Sequence, residues 1–118
     1  MQKAGVMSKI ITLNKNRDFN RIYSRGRSYV SPVLVVYVLK NRENTARLGI
    51  TTSKKIGNAV QRNRARRLIR EAYRTLLPKI RPGFDVVLVA RKRTWSVKMA
   101  EILLNLSKKL AEARLLTE

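Results

Sequence analysis

The sequence predicts an α+β sandwich, a small sheet backed by two longer helices, on three observations. The stretch 58–77 keeps its apolar residues on one side of a helix and its arginines on the other. The runs 33–40 and 84–90 are built from β-branched and apolar residues, and a second amphipathic stretch follows at 99–113. The chain has 118 residues, which suits one domain and argues against two. Folded-surface scaling leaves about 6,600 Å² exposed of about 20,000 Å² unfolded, enough burial for one core. At 44% hydrophobic the chain is too apolar for a disordered basic tail.

Taken in order, residues 1–13 have weak periodicity and read as a flexible N-terminal arm, leaving 14–118 as the folded domain. Within 14–25, Phe19, Ile22 and Tyr23 sit at helical spacing; Asn14 or Asn16 can cap this helix and Gly26 can end it in a left-handed conformation. VLVVYVLK (33–40) is apolar on both alternations, as in a strand covered on both faces, with Val33, Val35, Tyr37 and Leu39 sharing one side. The polar stretch 41–46 reads as a hairpin loop returning into a strand at 47–53. In 58–77, Ala65, Leu68, Ile69, Ala72, Tyr73 and Leu76 fill an arc of roughly 140° at 100° per residue. Asn58 can cap its start and Pro78 marks its end. Pro82-Gly83 turns the chain into FDVVLVA (84–90), and the last helix has Ser96 as a cap. Tyr73 and Trp95 read as packing residues.

Composition narrows the chemistry. Against 27 Lys+Arg stand 7 Asp+Glu, for a net charge of +20. Self-repulsion at that density opposes compaction, so a polyanionic partner is the natural reading. With no Cys there is no disulfide, thiolate nucleophile or zinc ribbon, and with no His there is no imidazole base or ligand. The seven carboxylates are scattered, so a protein nuclease with its own metal pair is not expected. No apolar run reaches membrane-span length and no signal-peptide core is visible, which points to the cytoplasm and away from a membrane.

Charge concentrates in one place. Eight cations lie between Lys54 and Arg74 against one acid, Glu71. Arg62, Arg66, Arg70 and Arg74 recur at i+4, and Arg64 and Arg67 widen the stripe to roughly 200° opposite the apolar arc. Like charges at that spacing weaken an isolated helix by about 0.2–0.5 kcal/mol per pair, which suggests selection for a partner; the alternative is a solvated basic face, which the protein-wide excess of charge disfavours. The planar arginine fork suits phosphate and bases, which favours nucleic acid over an anionic membrane. The preceding loop, Lys54-Lys55-Ile56-Gly57-Asn58, adds charge, and backbone N–H groups at the helix start can receive a phosphate.

KKIGNAVQRNRARRLIRE (54–71) closely resembles the signature of the bacterial ribonuclease P protein component, its RNR core falling on Arg62-Asn63-Arg64. NRDFNRIY (16–23), RLGITTSKKIGNA (47–59) and GFDVVLVARK (83–92) resemble further family segments, so the likeness covers about 14–110. Arg66 stands where the family more often has Lys, and Tyr23 where Phe is common. The resemblance implies a two-layer α/β sandwich with a mostly antiparallel four-stranded sheet in the order αβββαβα. It also implies a left-handed crossover at the basic helix, a fold shared with a small-subunit ribosomal protein domain.

The implied role is to assist a catalytic RNA, using Mg²⁺, in removing the 5′ leader of precursor tRNA. No protein residue would be catalytic, no metal ligand is named, and the protein would be a monomer in a 1:1 complex with ribonuclease P RNA. Lys54, Lys55, Asn58, Arg62, Asn63, Arg64, Arg66, Arg67 and Arg70 would bind RNA. Phe19, Tyr23 and Tyr37 would line a leader cleft, since rings in a positive groove stack single strands with little sequence preference. The rival reading of the rings is ordinary core. The rival functions are a ribosomal or ribosome-assembly protein, which leaves 54–71 unexplained, and a DNA-binding protein, whose reading helix carries more mixed polar side chains.

Overall fold

The chain, described over residues 10–117 in a computed structural model, forms the elements β1 (Ile11–Thr12), α1 (Asn16–Arg25), β2 (Arg27–Val30), β3 (Leu34–Lys40), β4 (Ala46–Thr51), α2 (Ala59–Leu76), β5 (Phe84–Ala90) and α3 (Met99–Glu112). The strands make one sheet in the order β1-β4-β5-β3-β2. The basic helix runs as its periodicity predicts: Asn58 caps it, and a short 3₁₀ turn containing Pro78 ends it. Two expected end signals differ. Gly26 is extended, not left-handed, and a Cβ there would collide with the Ile22 and Val38 carbonyl oxygens. Ser96 bonds back to the Arg93 carbonyl, so Lys98 occupies the cap position of α3 without a side-chain cap.

The pairing corrects the expected four-stranded, mostly antiparallel sheet. There are five strands; β1·β4 and β4·β5 are parallel, while β2·β3 and β3·β5 are antiparallel. No β3–β4 hairpin forms. The most apolar run, β5, takes the centre, with Val87 opposite Tyr37 on one side and Gly49 on the other. The 41–45 loop steps across the end of β5 and is held by hydrogen bonds from Asn41 N–H to the Gly83 carbonyl (2.8 Å) and from Gly83 N–H to the Thr45 carbonyl (2.9 Å). Burying the continuous apolar strand on both edges outweighs the entropic advantage of a local hairpin.

The arm is corrected over its last residues. Ile11 and Thr12 pair with Arg47 and Leu48, and Leu13 is buried, donating its N–H to the Leu48 carbonyl at 2.7 Å. The remainder of the arm, 1–9, lies outside the described residues.

Helices cover both faces, so the sandwich has three layers where two were expected. Strand alternation puts Leu34, Val36, Val38, Leu48, Ile50, Val86 and Leu88 against Leu68, Ile69 and Tyr73 of α2 and Ile102, Leu106 and Leu110 of α3. The opposite face carries a smaller cluster of Leu13, Ile22 and Val87, flanked by Phe19, Tyr37, Leu39 and Val89. Only α1, ten residues long, covers this second face, which leaves the sheet open along its flanks. Tyr73 is fully buried, its hydroxyl has no partner among the described residues, and burial pushes that hydroxyl's pKa well up.

One charge lies beneath α1. Asp85 in β5 is 0% exposed. It accepts from Arg47 Nε (2.7 Å) and Nη2 (2.8 Å), Asn41 Nδ2 (2.7 Å) and Arg21 Nη2 (3.2 Å). Arg21 reaches it from α1 while also pairing with Asp18 at 3.2 Å. Burial alone would push the Asp85 carboxyl up; the bonds from Arg47, Asn41 and Arg21, with the Arg47 charge, outweigh it and hold the group below the usual carboxylate range. The same pairing raises the Arg47 guanidinium.

Because the folded-state pKa of Asp85 lies below the unfolded value of about 3.9, its contribution is complete above that pH and lost as pH falls through the folded value. Asp85→Asn is expected to lower unfolding free energy at neutral pH by about 1.5–3 kcal/mol, the charge-assisted bonds from half-buried Arg47 being lost. It should also flatten the acid limb of stability, which urea titrations from about pH 2 to about pH 7 check.

Candidate nucleic-acid interface

The entry to α2 is built locally. Gly57 has φ 147°, a conformation side-chain-bearing residues rarely adopt, and its carbonyl accepts from Arg62 Nη1 at 2.7 Å. Asn58 Oδ1 accepts from Gln61 N–H while Gln61 Oε1 accepts from Asn58 N–H, both at 2.9 Å. In the preceding 3₁₀ turn, Ser53 Oγ accepts from Lys55 N–H. Lys54 and Lys55 are thus exposed on a fixed loop, next to a helix start that carries no acidic residue.

The sequence-predicted cations lie along the 54–58 loop and α2 and have unequal duties. Arg64 Nε donates to the Trp95 carbonyl at 2.8 Å, tying the helix to the turn before α3. Arg66 donates through Nη1 to the Ile50 carbonyl (3.2 Å) and through Nη2 to Thr52 Oγ1 (2.9 Å), reaching the end of β4. Arg74 pairs with Glu71. Arg67 is exposed and Arg70 half-buried, and neither forms an ion pair among the described residues. Asn63 is exposed, whereas the Asn58 oxygen is occupied by its cap.

The aromatic residues gather on the other side of the sheet, along α1. The Phe19 and Tyr23 rings lie 6.4 Å apart, and Tyr23 meets Tyr37 edge-on at 5.0 Å. Tyr23 is fixed by a 2.6 Å hydrogen bond between its hydroxyl and Thr51 Oγ1. Phe19 lies over Gly49, where a Cβ would come within 2.7 Å of the ring, so the flat ring needs this glycine beneath it. Between α1 and the end of β4 runs an open groove of about 370 Å³. Phe19, Tyr23, Asn16, Asn20, Thr51, Thr52 and Arg66 line it. Tyr37 stands behind Tyr23 and does not line the groove. Phe19 serves both readings, packing on the small core and facing the groove.

Sequence reasoning missed Asn16, Asn20, Thr51 and Thr52 as lining residues; their one signal is adjacency to the aromatic helix and the basic loop. It also missed that Arg66 joins the two surfaces. A groove with stackable rings, amides, hydroxyls and one arginine at its edge can hold a single strand by its bases and reach its phosphates. A profile described as ribonuclease P matches residues 7–114.

The chain belongs to the ribonuclease P protein family. A ribonuclease P protein component from Clostridioides difficile is 50% identical over 80 residues, covering 67% of this chain and 70% of that protein. One from Clostridium botulinum is 45% identical over 101 residues, covering 82% of this chain and 91% of its own. The solved Staphylococcus aureus RNase P protein superposes with a TM-score of 0.81 at 36% identity, over 92% of this chain and 100% of that one. Arg62, Asn63 and Arg64 lie within the matched stretch, and there Arg62 is tethered to the Gly57 carbonyl whereas Arg67 has no ion pair among the described residues.

Arg62→Ala, which frees the Gly57 carbonyl, is expected to cost about 1–2 kcal/mol of stability. Arg67→Ala should stay within about 0.5 kcal/mol. Thermal unfolding of the two variants tests the contrast.

Proposed function

We propose that this ribonuclease P protein offers RNA two adjoining surfaces. The arginine face of α2 with the Lys54–Asn58 loop takes the catalytic RNA, and the Phe19–Tyr23 groove takes the 5′ leader of precursor tRNA. The chain is a protein component of ribonuclease P, a tRNA-processing ribonucleoprotein whose catalyst in bacteria is the RNA. The observation that carries the two-surface reading is Arg66: it springs from the basic helix and lines the aromatic groove. A strand whose bases stack on Tyr23 and Phe19 is thereby placed beside the cations that hold the RNA catalyst.

In this mechanism the protein raises the local concentration and alignment of precursor at the RNA's active site. Stacking suits leaders of varied sequence because every base has a π-face. Lys54, Lys55, Arg62, Arg64, Arg67 and Arg70 bind backbone phosphates, Asn58 shapes the loop that presents the lysines, and Asn63 offers an exposed amide among them. Tyr37 acts by supporting Tyr23. In this reading the Mg²⁺ is held by the RNA, which carries out the hydrolysis. No described helix is long and apolar enough to cross a membrane. From its family we place the protein in the cytoplasm, as a monomer in a 1:1 complex with its RNA.

Arg67→Ala should weaken association with ribonuclease P RNA and reduce the slope of log affinity against log salt by about one unit. An unchanged slope removes α2 as the phosphate-binding face. In the assembled holoenzyme at low Mg²⁺, Tyr23→Ala should weaken precursor binding by about 1–3 kcal/mol while leaving mature tRNA nearly unaffected. Equal losses on both substrates reject the leader groove.

A further inference from the structure

Helix α1 has two unlike flanks. At 100° per residue Asn16, Phe19 and Tyr23 share the flank facing the aromatic groove, and Arg17, Arg21 and Arg25 form an i+4 stripe roughly 180° away. Like charges so spaced destabilise a helix, and Asp18 is the only acid on it. Against this second flank, where β3 ends and β4 begins, lies another groove, of about 540 Å³, bounded by Arg25, Lys40, Arg42 and Arg47. The exposed back of α1 joins the two. Asn20 lines both the aromatic groove and the hollow over the helix, and Arg21 and Arg25 line both that hollow and the second groove. The three form one continuous track across α1.

The charges on this track divide cleanly. Arg21 and Arg47 are bound to buried Asp85, and Asp18 to Arg21. Arg17, Arg25, Lys40 and Arg42 have no carboxylate partner among the described residues, and Glu43 is the one acid beside them not in an ion pair. No large aromatic ring lines the second groove, so it suits phosphates without bases. We infer that it is a second phosphate-binding site, taking the backbone of the precursor's leader upstream of the stretch held by Phe19 and Tyr23. Phosphate contacts carry no sequence information, which suits a leader of any sequence. The track's continuity with the aromatic groove points to the same strand and not to the catalytic RNA. The inference rests on the leader reading of that groove.

The test uses the full holoenzyme and two precursors, one whose leader ends within the aromatic groove and one with a leader several nucleotides longer. Arg25 and Arg42 are both exposed, so Arg25→Ala/Arg42→Ala should fold normally. The double variant should bind the long-leader precursor about tenfold more weakly, with a salt slope lower by about 1.4, and bind the short-leader precursor as the wild type does. Equal losses on both precursors, or no loss on the long one, overturn the second site. Weakened assembly with ribonuclease P RNA in the absence of precursor assigns the groove to the catalytic RNA and overturns it too. Tyr23→Ala is measured on the short-leader precursor in parallel. Unchanged binding there overturns the aromatic-groove reading itself, whereas a Tyr23→Ala loss with no long-leader effect of the double variant overturns the second site alone.

Discussion

A carboxylate with no exposed surface, Asp85, ties together the parts on which the candidate site depends. Its oxygens are shared by Arg47 of β4, Asn41 of the loop that steps over β5, and Arg21 of α1. Removing a carboxylate from water is costly, and bidentate pairing with Arg47 plus two further donors offsets that cost only in one geometry. That geometry sets β4 beside β5 and seats α1 on the open face of the sheet. Once α1 is seated, Ile22 faces inward, Phe19 and Tyr23 fall beside the end of β4, and the arginine stripe falls on the other side. A substitution at Asp85 therefore bears on the aromatic groove, none of whose lining residues is bonded to it.

The protein's large positive charge is managed by division of labour. Some arginines are structural as well as cationic: Arg62 closes the glycine loop, Arg64 holds the turn before α3, and Arg66 pins the helix to the end of β4. Each donates to a backbone carbonyl, which satisfies that acceptor without cancelling charge as a carboxylate would. The fold thus draws order from its cations and still presents nearly all of their charge outward. Glu71 is the one acid on the basic helix, and it pairs at the far end with Arg74, away from the loop and groove.

Much of this was legible in the residues. The 58–77 periodicity located α2, its cap and its two faces, because helical spacing and capping are local. The burial of Tyr73 and the turn at Pro82-Gly83 followed from the same kind of reading. The hairpin at 41–46 did not survive, since choosing a strand's neighbour is a contest among distant segments and β5 offers more apolar surface than β3 and β4 offer each other. The loose arm at 10–13 failed for a related reason: a two-residue strand has no periodicity to detect, and a vacant edge of β4 captured it. Asp85 was visible only as an acid in an apolar run, which signals a buried partner without saying which cation supplies it.

By itself, then, the sequence determined the helices, the polyanion-seeking face of α2, the absence of imidazole and thiol chemistry, and through its motif the likeness to ribonuclease P proteins. These depend on composition and on spacings of a few residues. Only the tertiary structure decided that β5 lies between β3 and β4, that the sheet is covered on both faces, and that Arg66 meets Phe19 and Tyr23 in one groove. Those outcomes join residues far apart in the chain, and burying the central strand and the Asp85 charge selects among the pairings that local propensity leaves open.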